Sequence, residues 1–161
     1  MPVGRLGRGL ATALALGGMV LAPLLASCVP RESDLDRYLK EREYKKVSIV
    51  REVPDPYKEL YVTNDGYWTY VAVVAEPGES LGGFSTSSNQ RGEVGFEDKH
   101  LVAEYRISPD SKCEVISPLV IFDGHGNYEG SCSDSLFLSM AELYGCGYLR
   151  GFHSEGRLSP H

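Results

Sequence analysis

Tyr67-Trp68-Thr69-Tyr70-Val71-Ala72-Val73-Val74 is the most strand-like stretch of the chain, aromatic or β-branched at seven of its eight positions. Tyr67, Thr69, Val71 and Val73 fall on one face, and Trp68, Tyr70, Ala72 and Val74 on the other. Both faces are largely apolar, which predicts a central strand covered on both sides. Asn64-Asp65-Gly66 precedes it as a turn, and Leu60–Thr63 lies upstream as the hairpin partner.

Further upstream, Val47, Ile49 and Val53 suggest another strand, closed by Pro54-Asp55-Pro56, because proline cannot donate to a ladder. Downstream, His100–Ile107 alternates, with Leu101, Ala103, Tyr105 and Ile107 on one face. Cys113–Phe122 is the returning strand, and its Pro118 favours an edge or a bulge. The period then changes. Leu136, Met140, Leu143 and Tyr144 share a helix face, with Ser133 or Asp134 as N-cap and Gly145 as terminator. This predicts a core helix over Asp134–Tyr144, a short strand over Gly147–Phe152 and a frayed tail from Ser154. Before the first strand, Ser33 can cap a charged helix over about Asp34–Lys45, with Leu35, Tyr38, Leu39 and Arg42 at helical spacing. The fold class is therefore α+β: one small domain, an antiparallel sheet of about five strands, one C-terminal packing helix and a short N-terminal helix.

Residues 77–99 interrupt the pattern. PGESLGGFSTSSNQRGEVGFEDK is rich in glycine and serine. A loop of this composition is either mobile surface or a contact loop anchored by Phe84 and Phe96.

The N-terminus is a different kind of sequence. Arg5 and Arg8 precede a charge-free run, Leu10–Ala26, and Leu25-Ala26-Ser27-Cys28 follows a basic, apolar, small-residue order. That order is the secretory pattern, and Leu-Ala-Ser-Cys resembles the lipobox of bacterial lipoproteins. The resemblance covers residues 1–28 only. It implies that residues 1–27 are a signal peptide, that Cys28 becomes the lipidated first residue, and that 28–33 is a tether. Two or three acyl chains would then hold 34–161 stably at a membrane. Val29, which is not an aspartate, implies outer-membrane sorting with the domain facing the periplasm.

Residues 1–27 hold two basic residues and no acid, so the portion beyond them carries a formal charge of −8. Such a domain lacks the basic stripe that nucleic acid requires. It would attract a cationic protein. Among the four cysteines, Cys113, Cys132 and Cys146 remain after lipidation. An eleven-residue helix rises about 16 Å, which disfavours Cys132–Cys146. Cys113–Cys132 is the expected disulfide, with Cys146 spare and Cys113–Cys146 as the second choice. Cysteine and histidine spacings offer no zinc site, and no cofactor motif is present.

Asp123, His125 and Asn127 could move protons or bind metal, but the same residue types are what a tight turn demands. Trp68 and Tyr70, with Tyr61 and Tyr67, could form an exposed binding face or core. The reading that follows is a lipid-anchored, non-catalytic binding module, of inhibitor or immunity type, for a cationic partner. An envelope assembly accessory is the alternative, followed by a small hydrolase using Asp123 and His125.

Overall fold

The computed structural model describes residues 30–50, 52–81, 84–85 and 98–160. Cys28 and Phe96 fall outside them, as do the side chain of Phe84 and most of the 77–99 stretch.

The elements in chain order are α1 (Asp34–Glu41), β1 (Lys45–Ser48), β2 (Glu59–Asn64), β3 (Thr69–Ala75), β4 (Ser80–Leu81), β5 (Phe84–Ser85), β6 (His100–Ile107), β7 (Cys113–Phe122), β8 (Tyr128–Cys132) and α2 (Ser135–Ser154). Six strands form one antiparallel sheet in the order β1-β2-β3-β6-β7-β8, and β4 and β5 pair separately. The α+β class holds, with one more strand in the main sheet than the sequence suggested. The described residues from Ser33 onward form a single compact unit.

β3 is the third of the six strands and is buried on both faces, as its composition requires. One face carries Val71, Val73, Leu101, Ala103, Tyr105, Ile107 and Leu119, which pack with Ala141, Cys146, Leu149 and Phe152 of α2. The other carries Ala72, Val74, Val102, Val120 and Phe122, which pack under Leu35 and Leu39 of α1. The sheet is thus the middle layer of a helix–sheet–helix stack. Pro118 sits where the β6–β7 register shifts, since Val102 faces Val120 while Glu104 faces Ile116. A residue without an N–H is tolerated at such a bulge.

α1 starts at Ser33, whose hydroxyl accepts from the Asp36 amide at 3.0 Å. It stops short of the predicted Lys45, because Lys45 already opens β1. The Asp123–Asn127 turn seats its first residues. Leu35 N–H donates to the Gly126 carbonyl, and Tyr128 N–H to the Asp34 carboxylate, both at 2.9 Å. Gly126 has φ +81° and lies so close to Ser33 that a Cβ would stand 2.9 Å from the serine Cβ.

α2 corrects several expectations, the packed face among them, since Leu136, Leu143 and Tyr144 are exposed and Ala141, Cys146, Leu149 and Phe152 are buried instead. It starts as predicted from an Asp134 N-cap, which accepts from the Leu136 and Phe137 amides. It then continues through Gly145 to Ser154, so the strand over Gly147–Phe152 does not form. Leu149 and Phe152 are buried on the sheet, and that burial outweighs the helix cost of about 1 kcal/mol for each interior glycine. Gly145 is a packing residue: the Tyr105 ring passes beneath it, and its hydroxyl donates to the Ala141 carbonyl at 2.7 Å. The tail is not simply frayed either, since a turn at Gly156 returns Leu158 to the core.

The disulfide is Cys113–Cys146, with Cα atoms 5.7 Å apart, and Cys132 is the free thiol. The expected Cys113–Cys132 pairing is therefore wrong. Its argument ended the helix at Tyr144, whereas Cys146 lies mid-helix directly over the start of β7.

Candidate functional site

α1 covers only part of its face of the sheet. Two rows of residues cross that face by strand register. The first, Tyr61–Ala72–Glu104–Ile116, runs beneath the end of α1. Glu104 accepts hydrogen bonds there from Tyr38 Oη at 2.6 Å and Tyr44 Oη at 2.9 Å. The Arg42 guanidinium lies over the Tyr38 ring and reaches to 4.0 Å from the same carboxylate. Burial first, and then the Glu104 charge, push both phenols well above their usual range. This cluster is a latch holding α1 to the sheet.

The second row is Thr63–Tyr70–Arg106–Glu114, one residue from each of β2, β3, β6 and β7. All four are half-buried, and the hydrophobic cluster that α1 forms on this face does not reach them. Arg106 pairs with Glu114, and the two side chains are 42% and 46% exposed. The Arg106 guanidinium stands 4.7 Å from the centre of the Trp68 ring, a cation–π distance.

The β2–β3 turn carries the aromatic end of this strip. Asp65 accepts from the Tyr67 amide at 3.0 Å and the Trp68 amide at 2.7 Å through one oxygen. Its other oxygen accepts from Tyr70 Oη at 2.9 Å. These donors hold the Asp65 carboxyl below the ordinary carboxylate range. The carboxylate in turn raises the Tyr70 phenol. Tyr67 is 59% exposed at the tip and meets Trp68 edge-on at 5.3 Å. The strip therefore runs from a pinned aromatic pair across an ion pair, and its chemistry suits binding: apolar area, a cation on a π face, and carboxylates at both ends.

Trp68 and Tyr70 from the sequence meet here. The Phe84 backbone lies in β5, and the Phe84 side chain and Phe96 lie outside the described residues. Asp123, His125 and Asn127 are elsewhere. One Asp123 oxygen accepts from the His125 and Asn127 amides, each at 2.8 Å, and the other from Asn127 Nδ2 at 2.9 Å. These bonds hold the Asp123 carboxyl below the usual range and make the loop an Asx-type turn. Arg106 and Glu114 were not singled out in the sequence. Their signal was present, since they occupy the polar side of strands whose other side is apolar. Among the described residues, no group of three or more histidine, cysteine, aspartate or glutamate side chains could hold a metal, and no helix is long and apolar enough to cross a membrane.

Comparison of the chain with protein-family models, with curated proteins and with solved structures gives no match in any of the three.

Proposed function

We propose that this is a lipid-anchored envelope protein, acylated at Cys28 and probing the periplasm with a non-catalytic protein-binding domain. The observation that carries the binding reading is the half-buried row Thr63–Tyr70–Arg106–Glu114 beside Trp68 and Tyr67, which the α1 cluster leaves uncovered among the described residues. A stiff sheet bearing tryptophan, tyrosine and arginine on an open face has the composition of an interface hot spot. The partner is a cationic protein, drawn by the charge of −8 beyond residue 27 and met by Asp65 and Glu114 at the ends of the strip. Capture of such a protein would make the role inhibitory or immunity-like.

The test compares the acylated chain beginning at Cys28 with its Trp68→Ala and Arg106→Ala variants in capture from envelope extracts. A basic protein retained by wild type and reduced about tenfold or more by either variant, with unchanged melting, supports the site. Retention should also fall as salt rises. Equal retention by all three chains would remove this surface as the site.

A further inference from the structure

β7 is paired unevenly. Its inner side pairs with β6 over Cys113–Ile116 and Val120–Phe122 on either side of the bulge, whereas β8 pairs only with Leu119–Phe122. Among the described residues, no strand lies against the outer edge of β7 from Cys113 to Ser117. The Val115 amide on that edge donates to the Glu142 carboxylate of α2 at 3.2 Å. A side-chain oxygen thus stands where a neighbouring strand would offer a carbonyl. Beside it lies a groove of about 320 Å³ between β7 and α2, lined by Val115, Leu138, Ser139, Glu142, Leu143 and Arg150.

The groove opens onto the outward stripe of α2. Leu136, Met140, Leu143 and Gly147 follow at helical spacing, with no acid among them. Leu136 is 62% and Leu143 72% exposed, and among the described residues nothing lies within 4 Å of where a Gly147 Cβ would be. In a chain with 22 acids this is an unusual surface to leave in water.

We infer that a second copy of this chain docks here, pairing its own β7 edge antiparallel to the first across a two-fold axis and laying its α2 beside the first α2. Three observations select this occupant. An open antiparallel edge is complementary to itself under a two-fold axis. The groove rim holds one acid and one base, Glu142 and Arg150, two helical turns apart, so antiparallel helices bring each beside its opposite on the other copy. Glu142 then leaves the Val115 amide to a strand carbonyl and turns to the partner copy's arginine. Finally, the outward side of α2, about 30 Å long, and the open β7 edge adjoin along the same groove, so one copy presents a continuous contact for both elements of the other. The helix part of this contact lies on the face opposite α1, while the strand part runs beside Glu114, the β7 end of the proposed partner-binding row.

Sedimentation velocity of the full chain in mild detergent, across a concentration series spanning the micromolar range, tests this. Wild type should sediment as a monomer–dimer mixture. Leu143→Glu and Val115→Pro should each weaken the dimer about tenfold or more, with the circular dichroism melt of Leu143→Glu unchanged. Glu142→Arg should weaken it, and Glu142→Arg combined with Arg150→Glu should restore it. A wild-type monomer throughout overturns the proposal. So does a dimer indifferent to Leu143→Glu, or a double variant no better than Glu142→Arg alone.

Discussion

At Gly145 two residue-level effects oppose each other. Alanine there would gain about 1 kcal/mol of helix propensity. Its Cβ, however, would lie 2.2 Å from Tyr105 Oη and 2.4 Å from the ring carbon bearing it. Tyr105 is fully buried with its hydroxyl committed to Ala141, so it has nowhere to move. Overpacking of this kind costs about 1–3 kcal/mol or more, and it should prevail. Gly145→Ala is expected to lose about 2 kcal/mol in urea unfolding, and to lose clearly less in a Tyr105→Leu background, where the obstacle is gone. A second residue-scale prediction concerns Asp65. Its folded-state carboxyl is held below the unfolded value by the Tyr67 and Trp68 amides and by Tyr70. Stability from this turn is therefore complete above about pH 3.9 and is lost as pH falls through the lower folded value. The Tyr67 and Trp68 amide resonances should titrate with a midpoint below 3.9, and in Asp65→Asn that transition should vanish.

At the scale of elements, the legible parts were those whose pattern is strong within a few residues. β3, β6 and β7 were readable because β-branched alternation needs no distant information, and the Pro118 bulge because a missing N–H has few places to go. The end of α2 was not readable. Gly145, Gly147 and Gly151 look like terminators, and only the sheet beneath them reveals that burial of Leu149 and Phe152 carries the helix onward. The disulfide misreading descended from that one error. Of the candidate site, the aromatic half was visible in the strand itself, whereas Arg106 and Glu114 acquired meaning only through cross-strand register. The corrected bond gives a prediction. Cys113–Cys146 closes a sequence separation of 33 residues, which by chain entropy stabilises by about 4 kcal/mol. Cys146→Ala should lose roughly that amount in urea unfolding, while Cys132→Ala should change stability by about 1 kcal/mol or less. Unreduced peptide mapping should recover Cys113 joined to Cys146, and recovery of Cys132 in a disulfide would reject the pairing.

For the whole molecule, the two helices cover opposite faces of one sheet but do not support it equally. α1 and the turn after it, residues 34–44, contribute buried Leu35 and Leu39, at about 1.5–3 kcal/mol each, and the hydrogen bonds of Tyr38 and Tyr44 to Glu104 at about 1.5 kcal/mol each. Set against a usual domain stability of 5–15 kcal/mol, losing α1 is severe but survivable. α2 contributes buried Ala141, Leu149 and Phe152 and part-buried Phe137 and Leu138, and it carries the Cys146 half of the disulfide. It also covers the larger cluster, which draws residues from β1, β2, β3, β4, β6 and β7. Its loss approaches or exceeds the whole stability of such a domain. A chain ending at Asp134 should therefore show no cooperative thermal transition and should bind a hydrophobic dye. A chain lacking residues 34–44 should still melt cooperatively at a lower temperature, with Trp68 fluorescence retaining a folded baseline. The order of these two outcomes is the decisive readout. If the α2 truncation melts normally while the α1 deletion does not, the sheet's principal support is on the face that α1 covers, and the layer assignment argued from burial is wrong.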